Sequence, residues 1–209
     1  AIIQDIQLLL EREPQLLDRR VLVLSGEGWN PGVIGIIAAR LVERYGKPCI
    51  LLSILDGEAR GSARSVEGFS IIEAIRSQAE YLEKCGGHPM AAGLTLPKEN
   101  ISAFVQGLED YARERFPSMP LLTLGVDTIV RLGEATLDNA KQLDRLEPFG
   151  CGNPQPVLAL VGAKVAKLVP MGKEGNHLRV TLEQDGISAQ AVLFGTGLEH
   201  FPLEEGELA

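Results

Sequence analysis

Two short, largely apolar runs, Val21-Leu22-Val23-Leu24 and Cys49 to Ile54, bracket one amphipathic stretch, and that order leaves little choice of architecture. An apolar run without polar alternation reads as a strand buried on both faces. Between the runs, a Gly, Asn and Pro loop leads into Val33 to Tyr45, whose apolar residues share one helical face, and Gly46 supplies the stop. Strand, helix and second buried strand predict a βαβ unit with parallel strands. Asp56-Gly57 then separates two extended runs, a dipeptide that favours a tight hairpin because both residues reach positive φ. The third strand is expected to carry Arg60 to Arg64 outward. Ser70-x-x-Glu73 predicts a capping box opening a helix to about Lys84, with Ile71, Ile72, Ile75, Ala79 and Leu82 inside and Gly86-Gly87 ending it. Ala91 to Leu96 reads as a fourth strand, and Ile101 to Phe116 as a long helix buried through Ile101, Phe104, Val105, Leu108 and Ala112.

The expected fold class is therefore α/β: a compact mixed-sheet domain over residues 21–117, followed by a small all-β part over 157–209. Residues 1–20 read as a connector helix, with Ile2, Ile3, Ile6, Leu9 and Leu10 at helical spacing and Pro14 where it stops. Because the chain begins mid-helix, a preceding segment is expected. Residues 118–156 form a linker: Leu121 to Leu132 extended, Leu137 to Leu146 helical, then an ordered Pro/Gly-rich stretch from Pro148 to Pro156. From Val157 the pattern is strand, turn, strand through Phe194, which predicts an open or truncated barrel.

A formal net charge of −8 excludes a protein that coats nucleic acid by bulk attraction, so any such contact must be local. Charge is uneven: Lys164, Lys167, Lys173 and Arg179 dominate the first strands of the all-β part, and only acids follow from Glu183 onward. Three scattered cysteines, Cys49, Cys85 and Cys151, give no disulfide framework and point to a reducing cytoplasm. Asp5 stands where a signal peptide would be basic, and no run is long enough to span a membrane. His88, His177 and His200 lie far apart, no aspartates cluster, and Gly-x-Ser-x-Gly is absent, so neither a metal ligand set nor a serine nucleophile is assigned. Gly26 to Gly32 mimics a dinucleotide loop, but its spacing is one residue too long and Asp56 is better used by its hairpin. It reads as a plain loop starting a helix, with Trp29 as packing.

Two segments remain: Arg60-Gly61-Ser62-Ala63-Arg64-Ser65, and Gly86-Gly87-His88-Pro89-Met90-Ala91-Ala92-Gly93. Bare glycine backbone, small hydroxyls and guanidinium groups suit a phosphodiester, since close N–H approach and charge-assisted hydrogen bonds both favour an anion. Arg60 alone reads as a solvated charge. Arg64 and His88, bracketed by Gly61, Ser62, Ser65, Gly86 and Gly87, read as an anion site.

Gly28-Trp29-Asn30-Pro31-Gly32-Val33-Ile34-Gly35-Ile36, Gly61 to Ser65, Gly86 to Gly93 and Pro148 to Pro154, in this order, resemble the RecJ family of single-stranded-DNA-specific exonucleases in the DHH phosphoesterase superfamily. The resemblance implies a DHH-associated domain followed by a partial oligonucleotide-binding (OB) fold. It places the Mn²⁺ or Mg²⁺ ligands on an N-terminal catalytic DHH domain that this chain lacks. It further implies that Ser62, Arg64 and the Gly86-Gly87-His88 turn hold substrate phosphates. From the local positive stretch in an otherwise acidic chain, the OB-like part is expected to contact the DNA backbone through Lys164, Lys167, Lys173 and Arg179. The activity implied is 5′ to 3′ removal of nucleotides from single-stranded DNA in repair and recombination, with no catalytic residue in this portion, which alone is expected to be inactive. One departure is Asn30, where the family usually has His, so a charge role there is in doubt. The residues leave two alternatives open: a DHH-type phosphodiesterase for short oligonucleotides or cyclic dinucleotides, and a non-catalytic nucleic-acid-binding module.

Overall fold

The apolar runs do pair as parallel strands. In a computed structural model that describes every residue except Ala1, Leu122 and Cys151, β1 (Leu22–Glu27) and β2 (Cys49–Leu55) run in register from Leu22 opposite Cys49 to Glu27 opposite Ile54. The helix between them, α2 (Pro31–Tyr45), starts where Pro31 needs no N–H partner and the Asn30 side chain accepts from the Gly32 amide at 2.8 Å. It ends at Gly46, whose φ of 63° lets its N–H reach the Val42 carbonyl. Asp56 and Gly57 take φ of 50° and 83° in the expected two-residue hairpin, which returns the chain as β3 (Glu58–Arg64).

The sheet then departs from expectation. Its order is β1-β2-β3-β5-β4, where β4 is Lys84–His88 and β5 is Ala91–Pro97. The helix expected to run to Lys84 stops early: α3 covers only Ile71–Arg76, followed by a single 3-10 turn at Ala79–Tyr81. Ser70 occupies the N-cap position without a side-chain cap bond, and its hydroxyl is buried with no partner among the described residues. Gly86-Gly87-His88 is thus an edge strand, not a turn behind a helix. Glycines weaken a helix by about 1 kcal/mol each, and the open edge of β5 offers the same backbone groups ladder partners along one side.

Burial on both faces of β2 follows from this layering. Cys49, Ile50, Leu51 and Leu52 are all fully buried, in one core with Ala38 and Leu41 of α2, Ile71 and Ile75 of α3, and Phe104 and Leu108 of α4 (Ile101–Arg115). The first helix, α1 (Ile2–Arg12), joins the same core through Ile6 and Leu10, so it packs on this unit as well as leading into it. The loop glycines before α2 are structural: a side chain at Gly26 would occupy the place of the Trp29 ring, and Gly28 has a φ of 70°. Trp29 is 6% exposed, which agrees with packing. No helix among the described residues is long and apolar enough to cross a membrane.

The chain divides between Thr123 and Leu124 into two units, so most of the stretch expected as a linker belongs with the second. Among the described residues of the extended stretch only Thr128–Val130 forms a strand, β6, which pairs in parallel with β7 (Leu158–Leu160); α5 covers Leu137–Asp144. The Pro/Gly-rich stretch has a cis Glu147-Pro148 bond and a Gly150 to Asn153 bridge, with Cys151 outside the described residues. Three antiparallel strands follow: β8 (Lys164–Met171), β9 (His177–Gln184) and β10 (Ile187–Leu193). Val165, Leu178 and Val180 form a small second core, and the acidic tail folds back on β8, where the Val165 amide donates to the Glu207 carbonyl and the Gly206 amide to the Val165 carbonyl. The sheet is open rather than a closed barrel.

Burial pushes the Cys49 thiol up to about 12, so it stays protonated and inert well above neutral pH, whereas Cys85 on β4 is exposed. Iodoacetamide at about pH 8 should therefore label the Cys85 peptide in the folded chain and the Cys49 peptide only in denaturant. Mass spectrometry of the digest checks this.

Candidate functional site

Directly opposed residues on neighbouring antiparallel strands project from the same face, so register alone assembles the site. Because β5 pairs with β3 on one edge and β4 on the other, Arg64, Ala91 and His88 share one row, Ser62, Gly93 and Gly86 the next, and Arg60, Thr95 and Lys84 a third. Strands lie about 4.8 Å apart, so each row spans roughly 10 Å. The alternate residues Ala59, Ala63, Ala92, Leu94 and Leu96 point to the opposite, buried face.

The middle row carries almost no side chain. Gly86 and Gly93 are exposed, and with Ser62 they make a strip of bare backbone across three strands, with Arg64 and His88 along one side and Arg60 and Lys84 along the other. These two glycines are not demanded by packing. A Cβ at Gly86 would meet nothing within 4 Å, and one at Gly93 only the Gly61 carbonyl at 3.9 Å. Space left open over backbone is what a ligand that approaches the chain closely requires.

Arg64 is held for such a role. Its Nη1 donates to the Ala63 carbonyl at 2.8 Å and to Ser62 Oγ at 3.3 Å. Helix α2 passes close by at Gly35, where a Cβ would lie 2.8 Å from Ser62 Oγ and 3.0 Å from Arg64 Nη2, so a larger residue would displace both. The half-buried guanidinium has no acidic partner among the described residues. Arg60 differs: it is mostly exposed, and its Nε bonds Glu58 Oε1 at 2.5 Å, which holds its charge more firmly and commits it to a carboxylate. An anion arriving at the strip finds one unspent guanidinium, that of Arg64.

Two expected members lie elsewhere. Ser65 is 5% exposed and donates its hydroxyl to the Phe69 carbonyl at 2.6 Å, so it is not free for a phosphate. Its amide, with that of Ile71, binds the Met90 and Pro89 carbonyls at the tip of the β4–β5 hairpin, and this fixes His88 level with Arg64. Gly87 projects to the other face, where a Cβ would collide with the Ala91 carbonyl oxygen. Gly93 and Gly35 lie in the motifs quoted from sequence but, like Lys84, carry no site role there; that of Gly93 becomes visible once Gly86 to His88 is treated as a strand opposite Ala91 to Gly93.

In the second unit, Lys167 and Arg179 project from the outer face of the three-stranded sheet, and Lys173 lies in the turn between β8 and β9. Lys164 sits directly opposite Glu183, so its row is close to neutral. Among the described residues no group of three or more His, Cys, Asp or Glu is placed to hold a metal ion.

The DHHA1 domain model matches residues 18–114, and the RecJ OB domain model matches residues 126–208. The chain is 33% identical over 197 residues to the single-stranded-DNA-specific exonuclease RecJ of Bacillus subtilis (strain 168), covering 93% of this chain and 25% of that protein. It is likewise 33% identical over 177 residues to RecJ of Thermus thermophilus, covering 85% of this chain and 25% of the relative. A crystal structure of the Thermus thermophilus RecJ in complex with Mn²⁺ matches 97% of this chain and 32% of that one, with a TM-score of 0.72 at 29% identity. The corresponding Mg²⁺ complex gives a TM-score of 0.65 at 28% identity, over 96% and 36%. The chain thus spans about a quarter of the length of the curated relatives it matches.

Alanine at position 86 or 93 should leave the melting temperature unchanged or slightly raised, because the methyl group enters open space and glycine in a strand costs about 0.5–1 kcal/mol. Gly87→Ala should lower it, since its φ of 146° and the Ala91 oxygen both oppose a side chain, at a cost of about 1–3 kcal/mol. Thermal melts of the three variants separate glycines kept for the fold from glycines kept for a ligand.

Proposed function

We propose that this chain, which belongs to the RecJ family as its DHHA1 and OB portion, holds single-stranded DNA for a 5′ to 3′ exonuclease. The observation that carries the reading is the bare Ser62–Gly93–Gly86 strip beside an uncommitted Arg64 and His88. Close approach over side-chain-free backbone and a guanidinium favour phosphate without reading bases, which suits an enzyme that must accept every sequence. A chain of net charge −8 repels DNA at long range, so the strand is held where cations are concentrated.

RecJ structures hold Mn²⁺ or Mg²⁺. In this reading the metal is held by a catalytic DHH domain that acts as this chain's partner, and the residues here orient and retain the strand. Asn30 fits this division, because it serves as the N-cap of α2, a role that needs no charge. The OB unit extends the grip along the strand through Lys167, Lys173 and Arg179, with Lys164 contributing less because Glu183 faces it. Its presence favours a long strand over a short oligonucleotide or cyclic dinucleotide.

Arg64→Ala should weaken oligonucleotide binding by about one to two decades, the loss of a charge-assisted contact of about 1.5–3 kcal/mol. Arg60→Ala, whose guanidinium already pairs with Glu58, should change it by less than about threefold. Anisotropy titrations of a labelled single strand with the two variants check this, and equal small effects would reduce the strip to a solvated surface.

A further inference from the structure

We propose that His177 and Phe194 form a base-stacking platform on the outer face of the second unit's sheet, with Arg179 taking the adjoining backbone of the same strand. This rests on the reading of the chain as a holder of single-stranded DNA.

The rows of this sheet again place the residues. Leu178, Val180 and Leu182 of β9 point to the small core, so His177, Arg179, Thr181 and Glu183 point away from it. Across the strands, Val169, Arg179 and Val192 share a row, and Lys167, Thr181 and Gln190 the next. Phe194 follows β10 directly and lies level with His177, which itself opposes Met171. The outer face is therefore graded: aromatic and apolar at the β8–β9 turn, basic next to it, and close to neutral at the far end, where Lys164 opposes Glu183.

Phe194 is 79% exposed, so the described residues of its own unit leave most of the ring uncovered. It is nevertheless held in place, because its ring meets that of His177 edge-on at 5.4 Å and 72°. His177 is fixed in turn by the Gly195 amide, which donates to its Nδ1 at 2.8 Å. That bond fixes the orientation of the imidazole, a flat amphipathic ring set against Phe194. Val192, 41% exposed, continues the apolar surface beside Arg179. A single exposed apolar residue needs no explanation, but two mutually braced rings with cations beside them do.

Charge complementarity identifies the occupant. Arg179 and Lys167 share the face, and Lys173 lies in the adjoining turn beside Glu174. The exposed Phe194 ring, braced edge-on by His177 and bordered by cations, suits a ligand with flat faces joined by anions, and an unpaired nucleic-acid strand has that chemistry. Stacking is indifferent to base identity because every base has a π-face, so the platform adds affinity without adding sequence preference.

The test is an anisotropy titration of the whole 209-residue chain with labelled oligo-dT and with an abasic oligonucleotide of the same length, each over a range of salt. The wild-type chain should prefer oligo-dT. Phe194→Leu should lower oligo-dT affinity by about 5- to 100-fold, toward the abasic value, with an unaltered salt slope, while Phe194→Tyr retains binding. Arg179→Gln should instead flatten the log–log salt slope by about 0.7 for both oligonucleotides. Since Phe194 is mostly exposed, these changes leave the core intact, and far-UV circular dichroism verifies it. If Phe194→Leu binds both oligonucleotides as the wild type does, or if Phe194→Tyr loses as much as Phe194→Leu, the platform is overturned while the strand-holding reading stands. If the wild-type chain binds neither in a salt-dependent way, both are overturned.

Discussion

The first unit depends on β5 being paired along both of its edges. Its register with β3 sets Ser62 opposite Gly93, and its register with β4 sets Gly93 opposite Gly86, so the bare strip exists only if both pairings hold at once. A slip of one residue in either ladder would turn Arg64 or His88 to the buried face and bring Ala63 or Gly87 up in its place. The chain guards against this at the hairpin tip, where the amides of Ser65 and Ile71 bind the Met90 and Pro89 carbonyls. Helix α2 then covers one half of the same face, and Gly35 lets it approach without crushing the Ser62 and Arg64 side chains. What remains uncovered is the strip and its flanking cations.

Much of this was legible wherever the signal was local. The βαβ unit, the Gly46 stop, the Asp56-Gly57 hairpin and the helix after Asn100 follow from periodicity and from residues that tolerate positive φ. The edge strand was not legible, because Gly86-Gly87 has no side chains to show a period of two, while Ser70 and Glu73 present a helix start. Its partner lies across a hairpin, and pairing rather than propensity decides its state. The site was legible in composition and less so in detail: Arg64, Ser62, Gly86 and His88 share neighbouring rows, but Ser65 and Gly87 serve the scaffold. In the second unit, the run of cations was visible, whereas the neutralisation of Lys164 by Glu183 and the meeting of His177 with Phe194 depend on cross-strand register.

In the proposed reading, the two units meet one ligand with different materials. A strand of DNA offers repeated anions and flat bases, and an acidic protein must meet it without relying on its overall field. In the first unit the flat element is peptide backbone, and the charge is an arginine kept clear of carboxylates. In the second it is a pair of rings, with Arg179 in the neighbouring row. Both surfaces are built before the ligand arrives, which lowers the ordering cost of binding.

Amide hydrogen exchange with and without a single-stranded oligonucleotide tests the central claim most directly, because it reads the backbone of the strip itself. The account predicts that added oligonucleotide slows exchange in the peptide spanning the edge strand 84–88, whose outer edge pairs with no other strand, with β2, β3 and β5 unchanged because their amides are already held in ladders on both sides. Bound oligonucleotide that leaves that segment exchanging as before would contradict it, and would place the strand on some other face of the protein.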